Sequence, residues 1–580
     1  MLRTHTCGDL TKSNVGQNTT LCGWVHSRRD HGGIIFIDLR DRYGMTQIVF
    51  SPDSKFFKEA DKLRREDVIQ ASGKIIARKE GMVNKEMKTG EVEVVISQLN
   101  VLNKSDVPPI EIDDRITANE EMRLKYRYLD LRRPVMQNRL ILRHHVAQIV
   151  REYMCSHNFL EIETPMLIAS TPEGARDYVV PSRVHPGKFY ALPQSPQIYK
   201  QMLMVSGFDR YFQLARCLRD EDLRSDRQPE HTQIDLEMSF IDQQDILNIV
   251  EGLYKHIFKK IKNIELPKFP VFTYDESMER FGTDKPDLRF GLELVDVTKI
   301  AKKSEFSVFK DVEKIKCLPC PKDITRGDID KLIEWVKEQG GKGLAWARIK
   351  DDKLESSIVK YFSAEVQKEL IKASKLTAGL LFFSADKKAK TNEILSKLRN
   401  KLGSDLKLIK ENDFKFCWVV DFPMFEWNEE EEKWDFLHNP FAMPKKEYIA
   451  AMEKDPSKVY ADLYDLVLNG IELGSGSIRI THPEIQEKVF KITGMSMEEA
   501  KKRFGFMLEA YRYGGPPHGG MGLGLDRTVA LMQGMNDIRE FIAFPKTKAA
   551  ENPMDGSPSE LSPKDLNVLK LKIEHKENKK

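Results

Sequence analysis

Short hydrophobic, β-rich runs occur over residues 20–25, 34–40, 46–50, 68–77 and 91–96, with glycines and charged turns between them. Five such segments in succession, each of strand length, predict a small Greek-key β-barrel of the OB type over residues 1–106. The pattern then breaks. Pro108-Pro109 and closely alternating charges make residues 107–133 a hinge without core elements of its own. Leu140, Val146, Ile149, Val150, Tyr153 and Met154 recur at helical intervals and predict a helix over 135–154, which stops near Asn158 before an extended 159–165. Lysine-rich helical patterns over 358–373 and 391–402, set among short apolar strands, mark 288–414 as an inserted α+β domain. It interrupts a main domain in two parts, 134–287 and 415–556, and a charged tail follows over 557–580.

A chain of 580 residues exceeds what one core organises, in keeping with this α+β multidomain plan. No apolar run approaches the roughly 18 residues that cross a bilayer, so no membrane role is expected. The first residues, Met1 to Cys7, lack the apolar core of a secretory signal, and a cytoplasmic location is expected. Seven scattered cysteines do not suit a disulfide framework. Cys317 and Cys320 have the spacing of half a zinc site, but no second pair or nearby His cluster completes it, and the segment reads as a loop. With 92 basic and 89 acidic residues the net charge of +3 does not announce a nucleic-acid binder; local patches must carry that argument.

Two segments stand out chemically. Arg216-Cys217-Leu218-Arg219-Asp220-Glu221-Asp222-Leu223-Arg224 joins cations and carboxylates in a loop-like run, and Gly519-Gly520-Met521-Gly522-Leu523-Gly524-Leu525-Asp526-Arg527 is a glycine-rich approach to a helix that ends near Met532. Glycines let backbone approach a base or phosphate closely, and an arginine at a helix start can meet phosphate oxygens. Each signal alone is weak. Taken in order with the helix and strand ending at Pro165, they resemble the three signatures of class II aminoacyl-tRNA synthetases, and neither class I signature, His-Ile-Gly-His or Lys-Met-Ser-Lys-Ser, occurs. The closer resemblance, over essentially the whole chain, is to bacterial-type aspartyl-tRNA synthetases. It rests on residues 171–177, 194–200 (Gln-Ser-Pro-Gln-Ile-Tyr-Lys), 227–230, 438–441 (His-Asn-Pro-Phe) and 474–479 (Gly-Ser-Gly-Ser-Ile-Arg).

That resemblance implies an antiparallel catalytic sheet flanked by helices, a homodimer built partly around Pro165, and an insertion similar to a domain of amidotransferase subunits. It also implies ATP and Mg²⁺ chemistry. Lys200 and Arg479 would take the aspartate side chain, an assignment that agrees with the need of a buried carboxylate for cations. Asp235 would orient them, Glu173 and Gln197 would hold the α-amino group, and His438 would close over the substrate. Arg219 and Arg527 would clamp the α- and γ-phosphates as the catalytic pair. Asp220, Glu221, Gln228, His231, Glu472, Gly524, Leu525 and Asp526 complete the nucleotide set, with Asp465 and Glu472 for the metal ions through oxygen ligands.

Three positions depart from the family's usual pattern: Asn158 where glycine is common, His231 where Phe often stacks on adenine, and Asn439 where a second His often follows His438. In the barrel the resemblance makes Phe36 an anticodon-stacking residue, with Arg29 and Arg78 beside it and Gln47 and Glu91 on base edges. His31 and Gly81 look like the subgroup that charges both tRNA(Asp) and tRNA(Asn), which implies a partner amidotransferase. The alternatives are an enzyme restricted to tRNA(Asp), a related asparaginyl- or lysyl-tRNA synthetase, and a non-catalytic nucleic-acid-binding relative.

Overall fold

The computed structural model describes residues 1–115, 118–171 and 175–574. Two compact units arise, one of residues 1–142 and 539–560, the other of 143–538 and 561–580.

In the first unit the strands Asn18–His31, Ile34–Asp41, Gly44–Phe50, Val68–Ala77 and Val92–Asn103 close a barrel in the order first, second, third, fifth, fourth. Its core is the inward set of each alternating strand, among them Leu21, Val25, Ile35, Ile37, Ile48, Ile69, Ile75, Val92 and Val94. The expected hinge is more ordered than a bare linker. It holds the helices Glu120–Lys125 and Arg127–Asp130 and a small core of Ile110, Ile112 and Leu129. Asp130, fully buried, binds Arg123, Arg127 and Arg133, so the charges that suggested a solvated linker pair with one another instead.

The second unit is built on an eight-stranded sheet. Its order is Val271–Thr273, Phe416–Pro423, Tyr460–Leu468, Ile471–Ile478, His518–Gly524, Glu230–Ser239, Arg210–Leu218, Leu160–Glu161. The pairs are antiparallel except the outermost at each end, which are parallel. The helix before it runs Pro134–Ser156, with proline at its first turn, where the missing N–H costs nothing. Asn158 then takes φ 63°, and the N–H of Phe159 bonds back to the Met154 carbonyl, so asparagine makes the left-handed turn that glycine would. Only Leu160–Glu161 of the expected extended run pairs as a strand.

The insertion forms a five-stranded antiparallel sheet, Val295–Asp296, Lys314–Cys320, Gly379–Asp386, Ala345–Lys350, Lys353–Glu355, with helices Arg326–Glu338, Ala364–Ser374 and Lys388–Asp405. The helix expected from residue 358 begins later because Ser363 caps it, its side chain accepting the Val366 N–H. Cys317 and Cys320 sit in a strand, not a loop. Three residues apart, they point to opposite faces and lie in two different cores, so they cannot share a metal. In the tail, Pro563–Leu569 is helical, and His575 to Lys580 fall outside the described residues.

Candidate active site

The strand Glu230–Ser239 places Asp235 and Glu237 two residues apart, hence on one face, and both are fully buried. Carboxylates taken out of water require cations. The first turn of the helix Gln197–Val205 supplies Lys200, whose Nζ is 3.1 Å from Asp235 and 3.1 Å from Glu237. Arg479, just past the strand Ile471–Ile478, donates from Nε and Nη2 to the two Glu237 oxygens at 2.9 and 3.1 Å, a bidentate pair, and from Nη1 to Ser477 Oγ at 2.7 Å. Burial pushes the Glu237 carboxyl up, but Arg479 and Lys200 outweigh it and hold the group down at about 2. Burial raises Asp235 against the pull of Lys200. The wall thus presents two cations, each backed by a carboxylate, and their ammonium and guanidinium groups can meet an incoming carboxylate.

Gly520, paired with Glu237 in the adjoining strand, makes this possible: a Cβ there would collide with the Glu237 carboxylate and the Leu236 carbonyl. Glu237 was not singled out in the sequence. The signal was available, since two carboxylates at i and i+2 among Ile234, Leu236 and Met238 imply buried counter-charges.

A cavity of about 410 Å³ opens beside this cluster. Gln197, Lys200, Arg219, Glu221, Gln228, His231, His438, Glu472, Arg479, Gly524, Asp526 and Arg527 line it. Asp235 and Asp465, both fully buried, are outside the lining, as are Asp220 and Leu525; Glu173 falls outside the described residues. Arg219 Nε donates to the Gln194 carbonyl, and Arg527, in the first turn of Leu525–Met532, donates to the Glu472 carbonyl at 2.6 Å. Glu221 is paired with Arg227 at 3.2 Å. Asp526 accepts the Thr232 N–H at 2.7 Å and pairs with Arg143, so it ties the helix start to the neighbouring strand. Burial first, then Arg219 and Arg527, push the His231 imidazole down to about 3, which makes it a neutral ring at ordinary pH. Burial also lowers His438, whose ring meets Phe422 edge-on.

Asp465 has both carboxylate oxygens buried with no hydrogen-bond partner among the described residues. Burial and the charge of Glu472 raise its pKa well above the usual range. An orphaned carboxylate beside a second one fits a hard divalent cation with oxygen ligands. Among the described residues no three His, Cys, Asp or Glu side chains gather to hold a metal, so a ligand's oxygens would have to complete the shell.

On the barrel, Phe36 is half-buried on the outer face, directly opposite Arg29, with the His31 ring 6.3 Å away. Gln47 accepts from Arg29 and donates to Glu93 at 2.7 Å, and Arg78 Nε lies 4.0 Å from that carboxylate. Glu93, unanticipated, is thus the acid beside Gln47, whereas Glu91 pairs with Lys12 at 2.8 Å. Gly81 has φ +84°, with open space where a side chain would go.

A family model described as tRNA synthetases class II (D, K and N) matches residues 119–548, and an OB-fold nucleic acid binding domain model matches 19–102. The chain belongs to the class II tRNA synthetases. Among curated relatives of this synthetase, an aspartate–tRNA(Asp/Asn) ligase of Caldanaerobacter subterraneus subsp. tengcongensis is 50% identical over 99% of this chain and 98% of its own length. One of the same name from Treponema denticola is 51% identical over 99% of each. An aspartate–tRNA ligase of Macrococcus caseolyticus is 49% identical over 98% of each. In fold, the synthetase resembles the asparaginyl-tRNA synthetase of Pyrococcus horikoshii complexed with asparaginyl-adenylate, with a TM-score of 0.60 at 19% identity over 97% of this chain and all of that one. As a class II synthetase it takes ATP as substrate and tRNA as partner. No helix among the described residues is long and apolar enough to cross a membrane.

Proposed function

We propose that this synthetase is an aspartate–tRNA ligase that converts L-aspartate to its adenylate and passes it to the 3′ end of both tRNA(Asp) and tRNA(Asn). The observation that carries the reading is the placement of Lys200 and Arg479 together on the cavity wall, backed by Asp235 and Glu237. Two cations select a carboxylate side chain. A lysine substrate would need anions there, and an asparagine side chain carries no charge for the two cations to meet. The names of the bacterial relatives agree.

In this reading Lys200 and Arg479 hold the side-chain carboxylate, Gln197 and Glu173 the α-amino group, and His438 shields the pocket. The α-carboxylate attacks the α-phosphorus of ATP, forming the acyl–phosphate anhydride and releasing pyrophosphate. Arg219 offsets the charge that builds on the α-phosphate and Arg527 that on the γ-phosphate, so positioning and electrostatics supply the rate. Glu221 and Gln228 hold the nucleotide while His231 offers a neutral ring to the base. Asp465 and Glu472 would hold Mg²⁺, which when bound neutralises phosphate charge. A hydroxyl of the terminal ribose then attacks the acyl carbon and AMP leaves.

On the barrel, Phe36 stacks an anticodon base, Arg29 meets phosphate, Arg78 backs the Glu93 carboxylate from within the wall, and Gln47 with Glu93 or Glu91 reads base edges. The open space at Gly81, with the His31 ring beside Phe36, lets C or U fit the third anticodon position, and the resulting Asp-tRNA(Asn) calls for an amidotransferase. The enzyme works in the cytoplasm as a homodimer. ATP/pyrophosphate exchange with aspartate, asparagine and lysine tests the amino acid: exchange only with aspartate is expected, and none with aspartate sinks the reading. Aminoacylation of each purified tRNA tests the pair, and charging of tRNA(Asp) alone discards the dual specificity.

A further inference from the structure

The segment leading from the main domain into the insertion passes Glu472 on its way. Lys285, on that segment, sets its ammonium 3.3 Å from Glu472 Oε2 and 3.0 Å from Asp284 Oδ2. It is not part of the cavity lining, so it meets Glu472 from beside the cavity. The segment is fixed from the insertion side. Arg399, fully buried in the helix Lys388–Asp405, donates to the carbonyls of Asp287, Phe290, Gly291 and Leu292, and its guanidinium lies over the Phe290 ring. Lys316, equally buried in the insertion sheet, donates to the Met278 and Glu279 carbonyls just before the segment. Gly470 closes against Asp287 from the hairpin that carries Glu472. Lys285 is therefore a placed cation and not a floating surface lysine.

We propose that Lys285 is the resident counter-cation of the Asp465–Glu472 pair, and that the inserted domain, by anchoring the Lys285 segment, makes divalent-ion binding depend on ATP. Two neighbouring carboxylates with one orphaned would attract a free divalent ion. A fixed ammonium on one of them opposes that by direct repulsion. When ATP arrives its phosphates add enough negative charge and enough oxygen ligands to overcome the ammonium. The metal then enters with the nucleotide and not before it.

This inference rests on reading Asp465 and Glu472 as the metal pair, and the experiment separates the two. Mn²⁺ is titrated into the full-length protein without ATP, with free Mn²⁺ followed by electron paramagnetic resonance. Lys285→Met and Lys285→Gln are each expected to bind Mn²⁺ about tenfold more tightly than wild type, the scale of removing one unit charge within a few ångströms at an exposed site. Lys285→Arg, which keeps the charge, is expected to match wild type. Unchanged or weaker Mn²⁺ binding in both neutral variants, with wild-type circular dichroism, overturns the proposal. The underlying metal-pair reading fails separately if Glu472→Gln retains wild-type Mn²⁺ affinity in the presence of ATP.

Discussion

Single residues decide the chemistry through what they neutralise. Glu237 touches both cavity cations, and replacing it removes the anion that Arg479 grips bidentately. Glu237→Gln is expected to destabilise the protein by about 3 kcal/mol, the scale of breaking a buried ion pair. It should also lower kcat/KM for aspartate about a hundredfold while leaving the KM for ATP near wild type, because the affected groups face the amino acid. Denaturant melts and exchange kinetics read the two effects, and an unaltered kcat/KM for aspartate would assign Glu237 to folding alone. His231 gives a pH signature. Its folded-state pKa of about 3 lies below the roughly 6.5 of a free imidazole, so as pH falls the unfolded chain takes the proton first. Wild type therefore loses stability between about pH 6.5 and 3, and above that range the group contributes nothing. His231→Phe lacks the penalty. Its stability relative to wild type should rise by about 1 kcal/mol from pH 7 to pH 5.5 in urea unfolding, and a difference independent of pH would mean that the folded imidazole titrates as it does in the unfolded chain.

At the scale of elements, strands present some residues to water and bury others, and a test can exploit that. Phe36 sits on the outer face of the barrel strand Ile34–Asp41, away from the Ile35 and Ile37 core, so its removal should cost little stability. Phe36→Ala is expected to raise the KM for tRNA ten- to a hundredfold, from the loss of about 1–3 kcal/mol of base stacking, with aspartate-dependent pyrophosphate exchange unchanged. Equal losses in both assays would show that the change had damaged the fold. The barrel could be read from the chain because five short β-rich segments follow one another between glycine and charged turns, a local pattern that needs no partner to be seen. Glu237 and Glu93 escaped because their meaning lies in cross-strand and helix neighbours: Gly520, Lys200 and Gln47 are distant in the sequence. The same limit hid the small core of the expected hinge, whose Ile110, Ile112 and Leu129 are too sparse to show a period. Cys317 and Cys320 mislead in the other direction, since a metal-like spacing loses its meaning once a strand sends the two thiols to opposite faces.

At the scale of the whole molecule, what the second unit leaves uncovered is as informative as what it buries. The sheet ends at the two-residue strand Leu160–Glu161, an edge whose Leu160 is 51% exposed. Met166 and Leu167 follow with open side chains, and the Ile168–Ala191 bridge joins this run to the two-stranded pair Val179–Pro181 and Phe189–Ala191, where Val179, Val180, Phe189 and Tyr190 are also exposed. Apolar side chains gathered beside an open strand edge make a surface that a solitary chain would leave prone to association, and a twofold axis lets one self-complementary patch cover itself. Sedimentation at micromolar concentration is therefore expected to give twice the chain mass. Leu167→Asp should shift the protein to a monomer with wild-type far-ultraviolet circular dichroism, because a charge at an interface must be desolvated without a partner while in the separate chain it simply faces water. If the dimer orders the segment after the first long helix, aspartate activation should fall with dimerisation and recover as protein concentration drives the variant back together. A wild-type monomer with full activity would place the patch in contact with some other macromolecule, and the tRNA itself could then be tested by repeating the sedimentation in its presence.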